Sequence, residues 1–192
     1  MEQDTLNKIT GGSFLTTPIN ESTIFSREDF TDEHKEIESM VKGFCKEAIA
    51  PVKDQLEKKD KELTFSLLKK AGELGLMGVE VPEEYGGMEL DKITGAIVAE
   101  SSSYSECSSF VVTWSTNLGI GSLPIVWFGT PAQKEKYLPR LTDGTSIGAY
   151  GLTEPSAGSD ALSAKTTAVL SDDGKHYILN GEKVFITNGG WA

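Results

Sequence analysis

Cysteine and histidine are scarce in this chain, two of each among 192 residues. Cys45 and Cys107 stand far apart in sequence, with no second thiol at metal-ligand spacing. That excludes a disulfide scaffold and a zinc knuckle, and both residues read as free thiols in a reducing compartment. Cys45 falls inside an apolar helical pattern and is expected to be packed. His34 and His176 lack carboxylate or thiol neighbours in register, so a helix surface and a strand end are their expected places, and no metal site is expected. Long apolar runs are missing too: none approaches the roughly 18 residues of a membrane-spanning helix. The first residues, Met1-Glu2-Gln3-Asp4, are acidic, unlike a secretion signal or an Arg-rich transit peptide. A cytoplasmic protein is the expectation. Positive charge is also short, with 18 Lys and Arg against 29 Asp and Glu and a net charge of −11. Nucleic acid favours a basic face, so it is excluded as a partner. A polyanionic ligand would have to be held by local donors against an unfavourable long-range field.

What the chain does have is helical periodicity over most of its length. Residues 1–29 form a polar leader with Gly11-Gly12, Pro18 and little periodicity. Thr31 is a plausible N-cap, with Asp32 and Glu33 well placed against the helix dipole. Ile37, Val41, Phe44 and Ala48 then recur at helical spacing, and Pro51 should end or kink that helix. The charges between Gln55 and Glu62 read as a solvated face. A second helix is expected over about Phe65–Leu74, with Leu67, Leu68, Ala71 and Leu74 inward and Gly75 as its stop. Val79–Met88 reads as a loop. Ile93, Ala96, Ile97 and Glu100 mark a third helical segment, and a fourth is expected over Cys107–Ile120, although its Val and Ser residues lower intrinsic propensity. Trp114 and Trp127 read as core aromatics. Thr130-Pro131-Ala132-Gln133 is a capping box with proline at the first helical position, and its helix should end near Leu141.

After Gly144 the period changes from 3.6 to 2. Ile147–Leu152, Lys165–Leu170, His176–Leu179 and Lys183–Thr187 read as short strands, and Ser171-Asp172-Asp173-Gly174 as a hairpin turn. Helices followed by strands imply an α+β chain, not an alternating parallel sheet. The expected organisation is a helical bundle over residues 30–145, then the start of an antiparallel β-domain over residues 146–192. Four strands make a small sheet with exposed edges.

Within the second part, Gly151-Leu-Thr-Glu-Pro-Ser-Ala-Gly-Ser-Asp160 gathers a proline and several small residues into one turn. Repeated Gly and Ser let a ligand approach the backbone closely, and Thr153, Ser156, Ser159 and Thr187 offer hydroxyls to a flat, polar-edged molecule. The plain alternative is a surface loop. In that case Thr153 and Thr187 are β-branched strand residues, Phe185 is a core anchor, and Tyr150 packs with its hydroxyl at the rim.

The Gly151–Asp160 stretch resembles the first signature of the acyl-CoA dehydrogenases, flavoenzymes that desaturate fatty acyl thioesters. Val81-Pro-Glu-Glu-Tyr-Gly-Gly87, Gln133-Lys-Glu-Lys-Tyr-Leu-Pro139 and Leu179-Asn-Gly-Glu-Lys-Val-Phe-Ile-Thr-Asn-Gly189 follow the family in order and distance. The similarity runs from about Phe30 to the last residue. Residues Ser13–Phe30 are similar to the leader of bacterial long-chain members. Four ordered motifs are far more specific than a lone glycine pattern.

The resemblance implies FAD as cofactor and α,β-desaturation of fatty acyl-CoA in β-oxidation, with electron-transferring flavoprotein as acceptor and a homo-oligomer when full length. It carries Tyr150, Leu152 and Thr153 to one edge of the flavin, and Phe185, Ile186 and Thr187 to its other side. Gly158 and Ser159 would face the boundary between FAD and the CoA part of the substrate. Phe185 departs from the Trp of many members, keeping a stacking face without an indole N–H. The helix near Val112–Thr116 would line the acyl tunnel, with Gly119, Gly121 and Ser122 leaving room for longer chains.

The family's catalytic base is a Glu in a later helical domain, and no residue here matches it. Glu154 is expected to be structural. The chain therefore reads as the N-terminal portion of such an enzyme, inactive alone. The alternatives are a non-catalytic binding or assembly module and an oxidase-like flavoenzyme fragment, since fold does not fix the electron acceptor.

Overall fold

The computed structural model describes Leu15, Thr16, Pro18 and residues 25–192. Most of the expected leader lies outside the described residues. Seven α-helices are found among those described: α1 (Asp32–Phe44), α2 (Lys53–Leu56), α3 (Lys61–Glu73), α4 (Lys92–Ser101), α5 (Ser108–Thr116), α6 (Leu123–Phe128) and α7 (Pro131–Thr142). Two strands follow, β1 (Thr167–Leu170) and β2 (Tyr177–Asn180).

The helix ends show why the sequence folds locally as it does. Thr31 caps α1 by accepting from the His34 N–H at 3.2 Å. Asp60 caps α3 through the Leu63 N–H, so α3 begins four residues before Phe65. Thr130 and Gln133 form the expected reciprocal capping box on α7, at 2.8 and 3.3 Å. Gly75 ends α3 with φ at +76°, a left-handed conformation that costs glycine little. Ahead of Pro51, α1 runs into a π turn over Cys45–Ile49 and then a 3₁₀ turn over Ala50–Val52. The missing proline N–H and the ring's steric demand keep a regular helix from continuing there. A second π turn, Asn117–Gly121, ends α5 earlier than its apolar pattern suggests.

The core lies among α1, α3, α4 and α5. Ile37, Val41, Leu67, Leu68, Ala71, Leu76, Met77, Val98, Phe110 and Trp114 pack together there. Trp114 is fully buried, donates its indole N–H to the Leu76 carbonyl at 2.9 Å, and meets the rings of Phe44 and Phe110 edge-on. Cys45 and Cys107 are buried free thiols, and burial pushes Cys45 up to about 11.

Several expectations fail for identifiable reasons. Trp127 is exposed, its ring covered on one side by the Lys92 ammonium at 4.6 Å. It sits on short helix α6, which turns another face inward. Leu74 is exposed because α3 has already ended at Glu73 and the backbone leaves the helical path there, and Leu76 and Met77 enter the core instead. His34 is buried, not on a helix surface. Its Nδ1 accepts from the Thr31 N–H, its Nε2 lies 3.5 Å from Asp91, and its ring meets Phe30 edge-on.

Of the four expected strands, two form. β1 and β2 pair antiparallel, Thr167 opposite Asn180 and Leu170 opposite Tyr177, and Gly174 takes φ +67° in the turn between them. Residues 147–152 and 183–187 carry no ladder. Their backbone link is a single bond from the Val184 N–H to the Thr153 carbonyl, 2.8 Å long. Phe185 then breaks the extended path with φ at +58°.

Candidate functional site

The Gly151–Asp160 signature folds as a tight turn. Glu154 and Ala157 exchange both backbone hydrogen bonds, at 3.0 and 3.1 Å, and so pinch out Pro155-Ser156. Gly158 and Ser159 follow on the exposed side. A Cβ built on Gly158 meets nothing within 4 Å, so its backbone is open to an approaching ligand.

Glu154 sits under this turn and is nearly buried, at 5% exposure. Its carboxylate accepts from the Lys165 N–H at 2.6 Å, the Thr166 N–H at 3.0 Å and the Lys183 ammonium at 2.8 Å. The hydrogen bond from Lys183, with those from Thr166 and the Lys165 backbone adding to it, holds the carboxyl down to about 2. Hydrogen bonds to the charged form stabilise that form. A carboxylate that is ionised at neutral pH, with its oxygens engaged by three donors, is a poor proton acceptor.

The second motif approaches from the other side. Lys183 also donates to the Leu152 carbonyl at 2.9 Å, and the Val184 N–H reaches Thr153. Residues 152–154 and 183–184 thus lie side by side. Beyond them Phe185 and Asn188 both take left-handed backbone angles, +58° and +65°. Such angles are strained for a bulky aromatic and mark positions fixed by their surroundings. The result is a Phe185 ring displayed at 93% exposure, so it is not a core anchor. Tyr150 and Leu152 are also largely exposed.

Thr187 takes a different setting. With Ile186 it lines an open cavity of about 250 Å³, together with Phe110 and Thr113 of α5 and Trp191. Asn188 anchors this segment, donating to the Thr113 carbonyl at 3.0 Å and to the Gly148 carbonyl at 3.1 Å. Gly148 is gripped a second time. Its N–H donates to Oδ1 of buried Asn117 at 2.8 Å, while Asn117 Nδ2 donates to the Leu141 carbonyl. Side chains are excluded at that crossing: a Cβ on Gly148 would stand 2.7 Å from the Gly121 Cα.

Ile186 and Thr187 therefore line a cavity, whereas Tyr150, Leu152, Gly158, Ser159 and Phe185 lie on an open face and Thr153 is half-buried. The room expected at Gly121 and Ser122 is taken up, because Gly121 packs on Gly148 and the Ser122 hydroxyl donates to the Asn117 carbonyl at 2.5 Å. Gly119 does border open space beside Gly95 and Leu118. Lys183, Asn117 and Asn188 are the residues that sequence reasoning passed over. Asn188 lay inside a quoted motif; Asn117, on a greasy helix, carried only the signal of an amide in an apolar run.

The sequence profile described as acyl-CoA dehydrogenase, N-terminal domain, matches residues 31–145, and that of the acyl-CoA dehydrogenase middle domain matches residues 149–192. A probable acyl-CoA dehydrogenase of Bacillus subtilis is 50% identical over 182 residues, covering 95% of this chain and 30% of its own length. A second acyl-CoA dehydrogenase of that organism is 44% identical over 84% of this chain and 42% of its own. The crystal structure of an acyl-CoA dehydrogenase complexed with FAD from Bacillus anthracis superposes with a TM-score of 0.89 at 50% identity, over 95% of this chain and 31% of that one. This chain spans less than half the length of these relatives. With its helical part, its signature turn and the segment crossing beneath it all matched, the chain belongs to the acyl-CoA dehydrogenase family.

Proposed function

We propose that the protein carrying this chain is an FAD-dependent acyl-CoA dehydrogenase that desaturates fatty acyl-CoA thioesters at the α,β position in β-oxidation. The carrying observation is the junction of the two motifs. The Val184–Thr153 and Lys183–Leu152 bonds lay the two motifs side by side, with the Tyr150 and Phe185 rings and Leu152 exposed beside half-buried Thr153. That set suits a flat ring with a polar edge. The B. anthracis relative is described as complexed with FAD, which supports the same cofactor here.

When bound, FAD supplies the acceptor for the substrate's β-hydride. In this reading Phe185 and Tyr150 provide stacking surface, Thr153 and Thr187 hydroxyls donate to the polar edge, and Leu152 and Ile186 frame it. Gly158 and Ser159 meet the CoA side. Donors aimed at developing negative charge are the protein's main contribution to such a step. Residues 30–145 serve as a helical domain and 146–192 as part of the middle β-domain.

The same reading takes electron-transferring flavoprotein as acceptor, a homo-oligomer as the assembly and the cytoplasm as location, where two buried free thiols are at home. Among the described residues no helix is long and apolar enough to cross a membrane. A preference for longer acyl chains now rests on likeness to the long-chain branch and on Gly119, and comparing butyryl with palmitoyl thioesters tests it. The chain alone is proposed to be inactive and to hold FAD weakly, because an open face encloses far less of a ligand than a pocket does.

The central test is Thr187→Val in the full-length protein. Loss of a hydrogen bond to a charged group costs about 1.5–3 kcal/mol, so flavin reduction should slow about tenfold or more and the flavin potential should fall. An unchanged potential and rate would remove Thr187 from the role.

A further inference from the structure

Three segments that are distant in sequence meet at one buried carboxylate. Glu154 belongs to the signature turn, Lys165 and Thr166 lead into β1, and Lys183 precedes the Phe185–Thr187 segment. The Glu154 carboxylate accepts from Lys165, Thr166 and Lys183, in the two other segments, at 2.6–3.0 Å. Lys183 makes the connection reciprocal by reaching back to the Leu152 carbonyl, and the adjacent Val184 N–H closes on Thr153. Around this point the apolar contribution is small: between residues 146 and 192 only Ile147, Glu154 and Ala157 are buried. Within this chain something other than a core holds these segments in register. A partly buried ion pair whose remaining lone pairs are satisfied gives direction as well as attraction.

We propose that Glu154 and Lys183 are positioning residues: a partly buried clamp that fixes the Tyr150–Thr153 edge against the Phe185–Thr187 segment. This rests on the flavin reading above for its consequence, though not for its existence. If one partner is removed, the other is left as an uncompensated charge beside Leu152. The two single losses should thus act on a neighbouring redox group with opposite signs, whereas mere loosening has no sign.

Amide hydrogen exchange in the flavin-stripped full-length protein tests the clamp. Glu154→Gln should speed exchange at Lys165, Thr166 and Val184 by tenfold or more and leave the amides of α3 and α5 unchanged. Lys183→Met should act chiefly at Val184, and Lys183→Arg should restore protection. The lysine variants carry the test if Glu154→Gln does not fold. After FAD is added back, Glu154→Gln should raise the flavin potential, Lys183→Met should lower it, and the double variant should return toward wild type. Unchanged exchange at the three amides, or potentials that move in one direction for both single variants, would overturn the proposal. If wild-type protein takes up no FAD, the flavin reading fails, and the exchange data alone decide the clamp.

Discussion

The two parts of this chain are held together by different physics. Up to Thr145, each helix contributes an apolar stripe to shared cores, with Trp114, Leu68 and Val41 fully enclosed. Each such side chain gains about 1.5–3 kcal/mol from leaving water. From Ser146 onward almost nothing apolar is enclosed. Every residue of β1 and β2 is exposed, and order comes from polar anchors: Glu154 with Lys183, and the paired asparagines on Gly148. Apolar burial is diffuse and tolerant of geometry, whereas polar anchors act at points and depend on each atom. The second mechanism suits the role proposed for this region, presenting backbone and hydroxyl groups in fixed positions to a flat ligand.

The sharpest way to break that contrast is to attack the helical core. Trp114→Ala removes the largest enclosed side chain and leaves the Leu76 carbonyl without its partner. Such truncations typically cost about 3–5 kcal/mol. Urea unfolding followed by helical circular dichroism should show that loss. A cost below about 1 kcal/mol would mean that this core is not where the stability resides.

Next in size is the joint between the parts. Asn117→Ala removes both grips of a fully buried amide, stranding the Gly148 N–H and the Leu141 carbonyl. Unsatisfied buried groups cost about 1–3 kcal/mol. The same variant should speed amide exchange at Gly148. If global stability and Gly148 protection both stay at wild-type values, the joint is held by other contacts.

How much of this was readable in advance follows the same divide. The helices announced themselves through period and caps: Thr31, Thr130 with Gln133, and Gly75 all act as their residue types demand. Trp127 and Leu74 went astray because one lies on the outer face of a short helix and the other just past a helix end, where helical spacing no longer sets direction. The β-strand pattern over-read residues 147–152 and 183–187, since alternation records propensity while a strand needs a neighbour to pair with. His34 reads as a surface residue until Asp91, distant in sequence, supplies its partner. At the site, motif resemblance located the residues, but the clamp and the asparagine grips are long-range bonds that no local pattern encodes.

A smaller and more local effect is expected with acid. Glu154 has its folded value lowered to about 2 from an ordinary 4.5. Its stabilising contribution is therefore complete above about pH 4.5 and is lost as pH falls from there through about 2. Amide exchange at Lys165, Thr166 and Val184 should accelerate over that acid window before the helical amides respond. In Glu154→Gln the window should vanish. A titration in which all amides lose protection together would show that the two regions unfold as one unit and that the carboxylate has no separate hold.

The smallest effect should come from the apolar side chains of the hairpin. Leu179 is 70% exposed and pairs with Ala168 across the ladder, so its truncation removes little buried area. Substitutions at such positions usually stay within about 0.5 kcal/mol. Leu179→Ala should therefore unfold in urea at nearly the wild-type midpoint, with the hairpin amides still protected. In the isolated chain a midpoint shift equivalent to 2 kcal/mol or more would mean that β2 packs against another surface in solution, a second hairpin edge being the natural candidate. The same variant in the full-length protein sharpens the comparison. A cost that appears only there would assign the face of β2 to the remainder of that protein, and the contrast between the regions would then describe this chain and not the folded whole.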